Sequence, residues 1–96
     1  MIVVTGATGN VGRELVRTLA ADGTRVTATS RRIADGDVPQ GVRAWPADLA
    51  DAESLRAVLD GADALFLLIA AGGETLNPHD LVDAAKAGGV GRIVLL

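Results

Sequence analysis

Runs of β-branched and aliphatic residues take turns with stretches of helical spacing along this chain. Ile2-Val3-Val4-Thr5 is uninterrupted, the pattern of a strand covered on both faces. From residue 11 to 22 the spacing becomes helical, with Val11, Leu15 and Leu19 on one side and Asp22-Gly23 as a glycine stop. Arg25 to Thr29 predicts a second short strand, and a strand, helix and strand this close together predict a right-handed crossover with a parallel pair. Residues 33–41 have loop composition and no period. Arg43 to Ala47 predicts a third strand, in which Pro46 demands an edge position or a strand end. Asp51 stands as the N-cap of a helix to Leu59, with Leu55, Val58 and Leu59 apolar and Gly61 as its stop. Asp63 to Ile69 is apolar on both faces and predicts the central fourth strand. Asn77-Pro78-His79-Asp80 marks the start of a helix that runs to Ala87 and stops at Gly88-Gly89, and Arg92 to Leu96 predicts a fifth strand. This alternation, with the third strand outermost, predicts an α/β doubly wound parallel sheet of five strands in the order 3-2-1-4-5.

The join between the first strand and the first helix is rich in glycine. Gly6, Gly9 and Gly12 stand three residues apart. Gly6 permits the sharp turn off the strand, Gly9 lets a ligand's phosphates approach the backbone, and Gly12 lets the helix pack close to the sheet. Backbone N–H groups of the loop and the first helical turn, around Thr8, Asn10 and Val11, then face one spot where the helix dipole also favours negative charge. That spot reads as a pyrophosphate site. In a chain with 12 glycines the spacing alone would be weak, and a tight turn without a ligand is the plainer alternative. The place of the spacing between strand and helix favours the ligand, because a turn alone would not require small residues at all three positions.

Two further places on the chain bear on that ligand. About 20 residues past the glycines, at the end of the second strand, a dinucleotide fold normally sets Asp or Glu against the ribose hydroxyls. Here the residues are Ser30-Arg31-Arg32. An acid would repel a 2′-phosphate, whereas guanidiniums bind one through charge-assisted bonds, so the sequence predicts NADP(H) in preference to NAD(H). The plainer alternative is that Arg31 and Arg32 are solvated loop charges. After the fourth strand, Ala70-Ala71-Gly72-Gly73 leaves room for a ligand beside the topological switch point. Ile69 and Ala70 are therefore expected to line the nicotinamide-side ribose, with an ordinary loop as the alternative.

Thr5-Gly6-Ala7-Thr8-Gly9-Asn10-Val11-Gly12 resembles the TGxTGxxG motif of the extended and atypical short-chain dehydrogenases, and GATGNVG is especially similar to the NmrA-like and isoflavone-reductase-like branch. Asp83 to Val94 resembles the AAKxAGVxRIV segment of the same family. The resemblance covers all 96 residues, as the amino-terminal part of a family whose members are usually longer. It implies a Rossmann-like fold and one NAD(P)-binding domain over residues 1–96. It also implies that Asp48 holds the adenine amino group and that Leu49 packs on the ring, although Asp48 equally reads as a capping carboxylate for the helix after it. Family active sites use a Tyr and Lys after the fifth strand, or a lysine in the carboxyl-terminal portion; this chain has no tyrosine, and Lys86 matches a surface position. No residue is therefore assigned a catalytic role. The function implied is the NADP(H)-binding portion of an oxidoreductase similar to NADPH-dependent quinone or isoflavone-type reductases, its small-molecule substrate met by a half that this sequence lacks. One alternative is an NmrA-like regulator that senses the dinucleotide without turnover and acts through a protein partner. Another is a nucleotide-sugar epimerase or dehydratase, although those usually carry an acid where Ser30-Arg31 stands. The apolar fifth strand calls for further cover, so the sequence is expected to be truncated.

Composition narrows the field further. At 49% hydrophobic and 22% charged, the chain belongs with soluble globular domains. A net charge of −3, one Trp, one Phe and no Tyr argue against a nucleic-acid binder. Cysteine is absent, so thiolate chemistry and cysteine-ligated metals are excluded, and no metal site is predicted. The longest apolar run, Ala64 to Ala71, is far short of a membrane span, and Met1 leads straight into a strand with no basic leader, which makes the cytoplasm the expected location. His79, the one histidine, is expected to be an exposed first-turn residue.

Overall fold

The computed structural model describes residues 1–48, 51–67 and 78–95. Five parallel strands, β1 (Ile2–Thr5), β2 (Val26–Ser30), β3 (Arg43–Pro46), β4 (Ala64–Leu67) and β5 (Arg92–Leu95), form one sheet in the order β3-β2-β1-β4-β5. The connections carry helices α1 (Asn10–Ala21), α2 (Ala52–Leu59) and α3 (Pro78–Ala87), and a single 3-10 turn (Asp35–Asp37). The predicted topology is therefore found, with β1 at the centre.

Successive side chains of a strand point to opposite faces, and here that alternation sorts the core into two layers. Val4, Val26, Ala28 and Phe66 face α1, whose Val16 is buried with Leu15 and Leu19 packed beside it. Val3, Leu65 and Leu67 face the other way, against Leu55, Val58 and Leu59 of α2 and Leu81, Ala84 and Ala85 of α3. One helix on one face and two on the other make the sheet doubly wound. Both faces of the central strands are covered, which is why they read as continuous apolar runs.

Several details depart from the sequence pattern. The buried stripe of α1 is Gly12 and Val16, with Leu15 and Leu19 half-buried, while Val11 is 64% exposed. Val11 lies in the first turn, next to the glycine loop, where no layer of the described residues covers it. Strand β2 begins and ends one residue later than expected, because the Arg25 carbonyl accepts from the Ile2 amide outside the ladder and Ser30 pairs with Pro46 inside it. Pro46 is the last residue of the edge strand β3, so its missing N–H costs no ladder bond. The stretch read as loop holds the 3-10 turn, in which the Asp37 carboxylate accepts from the Ala34 amide at 2.9 Å. Asn77, Leu96 and the last two residues expected in β4 lie outside the described residues.

Candidate functional site

The carboxyl ends of β1 and β2 and the amino end of α1 meet at the glycine loop. Gly6 has φ 62°, in the left-handed region that a side chain would strain. The turn closes through the Gly9 amide, which donates to the Gly6 carbonyl at 3.1 Å, and is tied to β2 by the Ala7 amide donating to the Thr29 carbonyl at 3.2 Å. A Cβ on Gly12 would stand 2.2 Å from the Gly6 carbonyl oxygen and 3.0 Å from Ala7 Cα. Gly12 thus lets α1 rest on the loop that immediately follows β1. Gly9 is different. It has ordinary extended backbone, φ −76°, and a Cβ there would meet the Gly6 oxygen at an ordinary 3.4 Å, so the chain's own packing leaves space at that position.

The amino end of α1 is open to an anion. Gly9 is its N-cap, no side chain caps it, and its first turn holds no acid. Helix α2 shows what a self-sufficient start looks like: Asp51 accepts from the Glu53 amide at 3.1 Å, and Glu53 adds a second carboxylate to the first turn. The orphan amides of Asn10, Val11 and Gly12 therefore have the geometry that suits a phosphate group.

Ser30 ends β2 directly across from this loop. Its hydroxyl lies 3.1 Å from that of Thr8, a contact between residues 22 apart in sequence. Arg31 and Arg32 follow, both exposed. The structure thus brings Gly6, Thr8, Gly9, Asn10, Val11, Gly12 and Ser30 to one end of the sheet, with Arg31 and Arg32 leading away from it. Asp48, two residues past the end of β3, is half-buried, and its backbone is held by Ser54 of α2. The Ser54 hydroxyl accepts from the Asp48 amide at 3.0 Å and has the Asp48 and Asp51 carbonyls within 3.1 and 2.8 Å to donate to. The helix cap itself is Asp51. Leu49, Ile69 and Ala70, the other expected contacts, lie outside the described residues.

Three features of this region do not show in the sequence pattern. Ser54 fixes Asp48 across a turn. The Thr29 hydroxyl, 2% exposed on β2, has no hydrogen-bond partner among the described residues. Arg13 and Arg17 of α1, with Ala7, Val16 and residues 36–39, line a cleft of about 320 Å³ beside the loop. The one displaced titration among the described residues is remote from all of these: the Met1 ammonium beside Asp63, at the opposite end of the sheet, holds that carboxyl below its usual range. His79 is exposed in the first turn of α3. Among the described residues no cluster of His, Asp or Glu could hold a metal, and no helix is long and apolar enough to cross a membrane.

Comparison with known proteins agrees with this geometry. A family model described as NAD(P)H-binding matches residues 6–96. Over 66 residues, 67% of this chain, the sequence is 42% identical to sterol demethylase protein B of Methylococcus capsulatus, a stretch that covers 20% of that protein. The NADPH-dependent quinone oxidoreductase QOR2 of Escherichia coli, solved with NADPH, matches 99% of this chain and 36% of its own, with a TM-score of 0.84 and 30% identity. A short-chain dehydrogenase/reductase superfamily protein of Agrobacterium tumefaciens, solved with NAD, matches 99% of this chain and 31% of its own, with a TM-score of 0.78 and 31% identity. The chain spans about a third of the length of these two structures and a fifth of the curated relative.

Proposed function

Since the chain belongs to the NAD(P)H-binding family, we propose that it is the NADP(H)-holding portion of an atypical short-chain oxidoreductase that reduces quinone- or enone-type acceptors. The observation that carries the choice of dinucleotide is the end of β2, where Ser30, Arg31 and Arg32 stand in place of the acid that would hold the ribose hydroxyls of NAD(H). The QOR2 structure with NADPH supports it; the Agrobacterium structure with NAD is why the preference has to be measured.

The residues present fit such a ligand. The uncapped first turn of α1 meets the pyrophosphate, Gly9 keeps a side chain from its path, and Thr8 and Ser30 offer hydroxyls beside the adenosine ribose. Asp48, held by Ser54, takes the adenine amino group, with Leu49 on the ring. Ile69 and Ala70 line the nicotinamide-side ribose. When bound, the dinucleotide supplies the hydride; this chain binds and orients it.

The test is titration of the full chain with NADPH and NADH, alongside Arg31→Asp. Wild type should bind NADPH more tightly and the variant should invert the order. Equal affinity of the wild type for both would overturn the choice of NADP(H). Oxidation of NADPH with quinones by the full chain separates an oxidoreductase from a sensor that binds without turnover.

A further inference from the structure

Ser54 reaches past its own helix. It stands third in α2, the place from which a side chain usually accepts from the backbone amide of the cap residue, but the amide of the cap, Asp51, already donates to the Asp48 carbonyl at 2.9 Å. The Ser54 hydroxyl accepts instead from the amide of Asp48, six residues back, at 3.0 Å, and has the Asp48 and Asp51 carbonyls at 3.1 and 2.8 Å for its single proton. Helix α2 does not depend on this contact for its start, because the Asp51 carboxylate caps it through the Glu53 amide. What the contact fixes is the loop that leaves β3.

That loop is held from both sides. Ala47, buried and immediately before Asp48, donates its amide to the Ser30 carbonyl at the end of β2 at 3.1 Å. On the other side Ser54 is set by its helix, whose next residue, Leu55, is 1% exposed in the core. The consecutive amides of Ala47 and Asp48 are thus tied to two different elements, β2 and α2, and the Asp48 backbone has little freedom to turn. A side chain as short as that of Asp is aimed by its backbone, and a hydrogen bond weakens steeply as its angle falls below about 120°. An Asp that discriminates between bases therefore needs its backbone held. We propose that Ser54 is a positioning residue for base selectivity: acting through Asp48, without touching the nucleotide, it sets the preference for a 6-aminopurine over the same purine without the amino group. The assignment rests on the role given to Asp48 above, and adds that this role depends on a hydroxyl supplied by α2.

The experiment titrates the full chain calorimetrically with 5′-AMP and with purine riboside 5′-monophosphate, which differ by the 6-amino group alone, in wild type, Ser54→Ala, Ser54→Thr, Asp48→Ala and Asp51→Ala. Wild type should prefer 5′-AMP by about tenfold, the worth of one hydrogen bond to a charged group. Asp48→Ala should abolish the preference. Ser54→Ala should cut it by about threefold or more, the scale of coupling between neighbours in one network, while the affinity for the amino-free nucleotide stays as in wild type. Ser54→Thr, which keeps the hydroxyl, should restore the preference. Asp51→Ala weakens the start of α2 but leaves the Ser54 contact, and should keep the preference whole. A preference unchanged in Ser54→Ala, a parallel fall for both nucleotides, or an equal loss of preference in Asp51→Ala would overturn the role of Ser54 and leave that of Asp48 standing. A wild type that binds both nucleotides equally, or a preference that survives Asp48→Ala, would overturn the two together and leave the NADP(H) choice at the end of β2 untouched.

Discussion

Gly9 and Gly12 are alike in the sequence and serve different partners in the fold. A Cβ on Gly12 would collide with the backbone of the chain's own loop at 2.2 Å, so Gly12→Ala should destabilise folding by about 2 kcal/mol or more, visible in a thermal melt of the ligand-free protein. At Gly9 the chain has space for a methyl group. Gly9→Ala should therefore cost less than about 1 kcal/mol in the same melt. It should nonetheless weaken NADPH binding on the order of tenfold in a titration, since the methyl would project toward the ligand's phosphates. A variant with normal affinity would remove the phosphate from that place. Thr29 makes a third case. Its hydroxyl is buried without a partner among the described residues, and a group in that state costs free energy that an isosteric methyl does not. Thr29→Val should stabilise the ligand-free chain by about 1 kcal/mol, read as a raised urea midpoint; a lowered one would show that the hydroxyl is used.

At the scale of elements, helices α1 and α2 start in opposite ways. Helix α2 closes its own end through Asp51, and Asp51→Ala should cost about 1 kcal/mol of stability in denaturant unfolding without touching dinucleotide affinity. Helix α1 has no side-chain cap and no acid in its first turn. This division was legible in the sequence, because a cap is a local feature: Asp51 stands directly before its helix and Gly6, Gly9 and Gly12 directly before and within theirs. The strands were legible for a related reason. Coverage on both faces forces apolar residues at successive positions, as in Val3-Val4 and Leu65-Phe66-Leu67. Contacts between distant residues were not. Thr8 with Ser30, Ser54 with Asp48, and Arg13 facing residues 36–39 arise from how the crossover folds back, and periodicity carries no information about them. Val11 failed for the opposite reason: its spacing fits the helix's apolar side, but the first turn stands beside the loop, where no described residue buries it.

For the molecule as a whole, the order β3-β2-β1-β4-β5 puts the reversal of strand order at β1 and β4, and the glycine loop opens at that crevice. Every neighbouring pair is parallel, so each pairing spans a long crossover, and among the described residues no hairpin starts the sheet locally. The same order sets a schedule during synthesis. Strand β1 is made first and gains β2 on one edge within the next residues, but its other edge must wait for β4, which begins at Ala64. At a ribosomal rate of about 5–20 residues per second, the stretch from Arg31 to Asp63 takes roughly 2–7 s to emerge. During that interval the apolar strand β1 presents an unpaired edge, and the glycine loop already exists without the strand that completes its crevice. A parallel sheet with β1 at its centre thus keeps one edge of that strand open until β4 has emerged.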